Sequence, residues 1–69
     1  MLFQTFQPGD LVQYRKDPGR LGIVLNVNIT ARQAHVCEIV IVFDKTYPSA
    51  IGEKRYTHVD YWQKIYRSF

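Results

Sequence analysis

Leu21-Gly22-Ile23-Val24-Leu25-Asn26-Val27-Asn28-Ile29 is the stretch on which the fold turns. Ile23, Leu25, Val27 and Ile29 fall on one side of an extended chain, and Asn26 and Asn28 fall on the other. A period of two is the mark of a half-buried antiparallel strand. Gly22 stands where such a long strand must bend, and a residue without Cβ eases a bend.

Working outward, Thr30-Ala31-Arg32-Gln33 reads as a hairpin connection to a third strand over residues 35–43. There Cys37, Ile39, Ile41 and Phe43 share one face, and Glu38 marks the opposite face, with Val36, Val40 and Val42, as the more exposed. Upstream, Gln7-Pro8-Gly9-Asp10 is a turn that launches a first strand, Leu11-Val12-Gln13-Tyr14. Asp17-Pro18-Gly19 supplies the next turn, with Pro presetting φ and Gly tolerating a positive one. A long loop over residues 44–54 leads to a short strand at residues 55–58. A single helical or 3-10 turn near residues 59–63 then precedes a last strand at 64–67. No segment has the i, i+3, i+4, i+7 apolar pattern and caps of a helix. The alternation places Leu11, Ile23, Leu25, Ile39 and Ile41 in the core and Val12, Val24, Val40 and Val42 on outer faces.

The 69 residues fit one domain, read as an N-terminal arm over residues 1–6 and a folded unit over 7–69. At 46% hydrophobic the chain is too apolar for a disordered tail. Its longest apolar run, residues 39–43, has the length of a strand and not of a membrane span. The first residues lack the basic and apolar regions of a secretory signal. Cys37 is the only cysteine, so no intramolecular disulfide forms, and a reducing, cytoplasmic setting is expected. Nine Lys and Arg against six Asp and Glu give a formal charge of +3, which permits an anionic partner without demanding one.

Pro8-Gly9-Asp10-Leu11-Val12, then Gly22-Ile23-Val24-Leu25, then Val40-Ile41-Val42-Phe43-Asp44 resemble the SH3-like barrels of KOW and Tudor modules. The resemblance implies an all-β fold: a small five-stranded antiparallel SH3-like barrel with one short 3-10 turn before the last strand. Such barrels host many binding roles, so the likeness speaks to fold more than function. The phrases GDLVQYRKDPGRLGIVL and FDKTYPS are similar to those of short proteins that bacteriophages carry, including phages of cyanobacteria. That second likeness implies a virion component or a protein acting in the host cytoplasm, where an inhibitor docking on a host enzyme is one form.

Five kinds of site are weighed on the residues. A protein interface, with a partner or in a homo-oligomer, would use the outer Val12, Val24, Val40 and Val42 with the terminal Leu2, Phe3, Phe6 and Phe69. The competing reading is that the terminal aromatics close the ends of the barrel. A nucleic-acid surface would use Arg15, Lys16 and Arg20 of the first loop with Lys45, Lys54 and Arg55, and Tyr47 or Tyr56 for stacking. Asp17, Asp44 and Glu53 dilute that field. An aromatic cage of Tyr47, Tyr56, Tyr61, Trp62 and Tyr66 competes with the reading of Trp62 and Tyr66 as core or lid, which is favoured. His35, Cys37 and His58 fall one short of a four-ligand metal site, so no metal or other cofactor is expected. Cys37, His58 and Asp60 form a triad only on paper, and no catalytic motif occurs, so no enzyme is expected. A small-molecule substrate and a membrane are likewise not expected.

Overall fold

In the computed structural model, residues 6–27 and 36–66 are described. They form five antiparallel strands: β1 (Leu11–Tyr14), β2 (Arg20–Val27), β3 (Val36–Asp44), β4 (Lys54–His58) and β5 (Trp62–Tyr66). Two 3-10 turns, Pro48–Ala50 and Val59–Tyr61, complete the secondary structure. The fold is all-β, one five-stranded sheet in the order β4-β3-β2-β1-β5. Among the described residues no helix is long and apolar enough to cross a membrane.

The opening turn is built as its residues dictate. Asp10 N donates to Gln7 O at 3.0 Å, and Gly9 takes φ 95°, which Pro8-Gly9 supplies without strain. Gly9 N then donates to Val24 O at 2.8 Å, fixing the start of β1 beside β2. The loop over residues 44–54 is largely ordered into a second turn. Asp44 Oδ1 accepts from Thr46 N at 3.1 Å and Tyr47 N at 2.9 Å, and Pro48 then opens the 3-10 turn.

β4 and β5 are the two edges of the sheet, yet only the 3-10 turn Val59–Tyr61 joins them. In a flat sheet the outer strands of five would lie about 19 Å apart. The link from His58 to Trp62 reaches at most about 14 Å even when extended. The sheet is therefore not flat: the end of β4 and the start of β5 stand closer than flat spacing would place them. A hydrogen bond from Trp62 Nε1 to Thr57 Oγ1, 3.1 Å, connects β5 to β4 there.

The core lies on one face of the sheet. It comprises Phe6, Val12, Val24, Cys37, Ile39, Ile41, Ala50, Val59 and Trp62, with Tyr14 and Val27 packed against it. Cys37, Ile39 and Ile41 point inward as the sequence alternation leads one to expect. The alternation fails in β1 and β2. Val12 and Val24 are 0% and 1% exposed, while Leu11, Ile23 and Leu25 are only half-buried. The reason is irregular pairing. The register shifts between Val24 and Asn26, leaving Leu25 out of the ladder, so Val24 and Val27 can both serve the core. A second shift, between Leu21 and Gly22, does the same to Val42 on β3. Phe43 is thereby turned outward, 48% exposed, and Asp44 inward. Phe6, expected in an interacting arm, is buried and belongs to the core. Leu2, Phe3, Phe69, Asn28, Ile29, the 30–33 connection, His35 and Arg67 lie outside the described residues.

Gly22, which stands at the second register shift, also has a packing role. A Cβ there would stand 3.0 Å from Ile39 Cδ1, 3.2 Å from Val40 O and 3.5 Å from Trp62 Cζ3. The missing side chain lets Ile39 and Trp62 close over β2. Gly22→Ala is accordingly expected to cost about 1–3 kcal/mol, the usual range for overpacking, because the backbone oxygen of Val40 cannot step aside. Denaturant unfolding would measure it, and a loss below about 0.5 kcal/mol would contradict this packing.

Candidate interaction surface

The pairing that buries Val12 and Val24 sets other apolar residues on the solvent side of the sheet. Leu11 pairs with Ile23, Ile23 with Val40, and Val40 with Lys54, so these four form one row across β1, β2, β3 and β4. Beside it runs Gln13, Leu21 and Phe43. The unpaired Val42, 40% exposed, lies between the rows along β3. The result is an apolar belt along one face, in which Val42 and Phe43 are exposed and Leu11, Leu21, Ile23 and Val40 are half-buried. Of the residues expected at an interface, Val40 and Val42 are in it. Val12, Val24 and Phe6 are inside the protein instead.

On one side the belt gives way to a polar row, Tyr56, Glu38 and Asn26, in which Asn26 Nδ2 donates to Glu38 Oε1 at 2.8 Å. At the other end lie two loops, which a backbone bond from Lys45 N to Gly19 O, 3.0 Å, holds together. Gln13 Nε2 also donates to Pro18 O at 3.1 Å, tying the β1–β2 loop to the margin of the belt. The first loop and the loop after β3 thus meet, as a nucleic-acid surface would require.

Not all the candidate cations are free to act there. Arg20 Nε donates to Asp44 Oδ2 at 2.7 Å, and its guanidinium lies 5.4 Å from the centre of the Tyr14 ring. Arg55 pairs with Glu53 on the surface. Arg15, Lys16, Lys45 and Lys54 are exposed and have no ion pair among the described residues. Tyr47 and Tyr56 are exposed too.

Two carboxylates are buried, and both anchor structure. Asp10 Oδ2 accepts from Gln7 N at 2.8 Å and from Lys64 Nζ at 3.1 Å. Asp44 receives the two loop amides and Arg20. The Tyr47 amide above all, with Arg20 and the Thr46 amide, holds its carboxyl below the ordinary carboxylate value against the opposing effect of desolvation.

Trp62 is buried against Tyr14, ring centres 5.0 Å apart, and so is core and not the wall of a cage. Tyr61 is exposed, with its ring centre 6.1 Å from that of His58. Cys37 is fully buried, and desolvation raises its thiol to a pKa of about 11. A thiol in that state is protonated at neutral pH and is a poor nucleophile. His58 Nδ1 accepts from Asp60 N at 3.1 Å, which orients its ring within the 3-10 turn. Among the described residues, no three His, Cys, Asp or Glu come together as metal ligands would.

Leu11, Leu21, Ile23 and Phe43 are the belt residues that sequence reasoning missed. Glu38 did fix the outer side of β3. Carrying that side across to β2 needs the register, and two bulges that no residue type announces set the register. No known protein family, curated protein or solved structure matches this chain.

Asp44 also sets an acid limit on the fold. Its pKa is lower folded than unfolded, so the folded state binds its proton less readily. The stability it contributes is complete above the unfolded value, near pH 4, and is lost as pH falls below that toward the folded value. The thermal midpoint is therefore expected to fall through this acid window. Asp44→Asn should be less stable at neutral pH and should show a shallower fall. Parallel pH curves for the two proteins would contradict this role.

Proposed function

We propose that this chain is a non-catalytic protein-binding module, an SH3-like barrel whose outer sheet face docks on a partner protein. The barrel reading is supported by the strand order, by the three-residue connection between the two edges and by the Trp62–Thr57 hydrogen bond across them. The observation that carries the binding reading is the apolar belt. A small domain with a marginal core ordinarily keeps its Leu, Ile and Phe inside. Here Leu11, Leu21, Ile23 and Phe43 are spent on the outer face, while small residues such as Val12, Gly22 and Val24 line the inner one. Contiguous apolar surface of this kind marks interfaces.

The belt favours a protein over a nucleic acid as the ligand. Phosphate contacts need free cations, and two of the six candidates, Arg20 and Arg55, already have acidic partners. A nucleophilic role for Cys37 is disfavoured by its complete burial. Both partners that the phage likeness implies, a virion assembly and a host enzyme, are proteins, the class of partner that an apolar belt suits.

Site-specific photo-cross-linking in the cell of origin tests the reading. A cross-linker in place of Phe43 is expected to give a discrete protein adduct, and one in place of the exposed Ser49, outside the belt, to give none. Equal labelling from both positions, or none from either, would contradict it.

A further inference from the structure

Resting on the interaction-face reading, we propose that the partner is a protein surface with an apolar centre and a rim of carboxylates, and not a second copy of this chain.

Charge is unevenly distributed around the belt. Three of the acids are neutralised within the fold: Asp10 by Lys64, Asp44 by Arg20 and Glu53 by Arg55. Two more lie on the belt's margins, where neutral donors orient them and leave their charge in place. Asp17 Oδ1 accepts from Gly19 N at 3.2 Å, and Glu38 accepts from Asn26. Asp60 is on the turn between β4 and β5, beside His58. The cations are placed otherwise. Lys54 ends the row Leu11, Ile23, Val40. Lys45 follows Phe43 by two residues and is bonded to the first loop, which carries Lys16 and is tied to Gln13 of the second row. Lys16, Lys45 and Lys54 have no acidic partner among the described residues.

The belt is thus bordered by a net excess of positive charge at one end and along one side. Burying the belt brings these ammonium groups against whatever covers it. A carboxylate rim satisfies them, speeds encounter and sets orientation. A second copy would set three lysines against three like them, with Asp17 and Glu38 of each copy the only carboxylates at the margin to offset them. A phosphate polymer would satisfy the cations but leave Leu11, Ile23 and Val40 without an apolar counterpart.

NMR titration of the full chain with four probes decides among these. The first is a helical peptide with a Leu and Phe stripe flanked by Glu. The second is the same peptide with Lys for Glu. The third is oligoglutamate, and the fourth a single-stranded oligonucleotide. The first peptide is expected to shift the Ile23, Val40 and Phe43 signals, to bind more weakly as salt rises, and to lose about five- to tenfold in affinity on Lys45→Glu combined with Lys54→Glu. The Lys peptide is expected to prefer that doubly substituted protein. Binding of both peptides at the belt with equal affinity would overturn the charge rule and leave the interaction face standing. Oligonucleotide or oligoglutamate binding as tight as the first peptide, with shifts confined to the loops, would overturn it in favour of a polyanion. Belt signals unmoved by either peptide would overturn the interaction face itself. Reversible self-association that Phe43→Ser abolishes would assign the belt to a second copy and also overturn the proposal.

Discussion

The two edges of a five-stranded sheet are held together by a link of three residues, Val59–Tyr61, and the rest of the structure follows from that constraint. So short a tether keeps the sheet from lying flat. Its curvature crowds the inner face, and the side chains there are matched to the space. Trp62, Ile39 and Ile41 fill it from β5 and β3, while β1 and β2 contribute Val12, Val24 and the bare Gly22. The Trp62–Thr57 hydrogen bond and the packing of Trp62 on Tyr14 fasten the corner where the edges meet. The larger aliphatic residues of β1 and β2 are left outside, and that is the origin of the belt. Surface and core are two consequences of one geometry.

Electrostatics supports the same arrangement from the ends of the strands. A buried carboxylate is tolerable only when its charge is met by donors or a cation. Asp44 gathers two amides and Arg20 at the end of β2 and β3, while Asp10 joins the opening turn to Lys64 on β5. Acids used in this way are withdrawn from the surface. Among the described residues the cations without an acidic partner are Arg15, Lys16, Lys45 and Lys54, and the three lysines border the belt.

Much of the fold was legible in the sequence. β1 coincides with Leu11-Val12-Gln13-Tyr14, and the strands, the long loop and the final 3-10 turn lie within a few residues of where alternation and turn chemistry put them. The inner side of β3 was also legible, because Glu38 among aliphatic residues marks the outer one. What could not be read was phase. In β2 every residue from Leu21 to Leu25 is apolar or Gly, so either side suits the core, and only Asn26 breaks the run. The bulge at Leu25 then uncouples Asn26 from the residues before it. A one-residue slip exchanges the two faces of a strand. For that reason Val12 and Val24 were expected outside, and Leu11 and Ile23 inside. The basic loops were better anticipated than the belt, because turn residues fix where loops occur. Whether a given cation is free depends on partners far away in sequence, as Arg20 and Asp44 show.

The central claim is that Val12 and Val24 face the core while Leu11, Leu21 and Ile23 lie half-buried on the outer face. Solvent paramagnetic relaxation of the methyl groups, with a soluble neutral gadolinium complex, tests it without altering a residue. The account predicts the strongest relaxation at Val42, measurable relaxation at the half-buried Leu11, Leu21, Ile23 and Val40, and protection at Val12, Val24, Ile39 and Ile41. Protected Leu11 and Ile23 beside strongly relaxed Val12 and Val24 would contradict it, and the belt would dissolve with the claim.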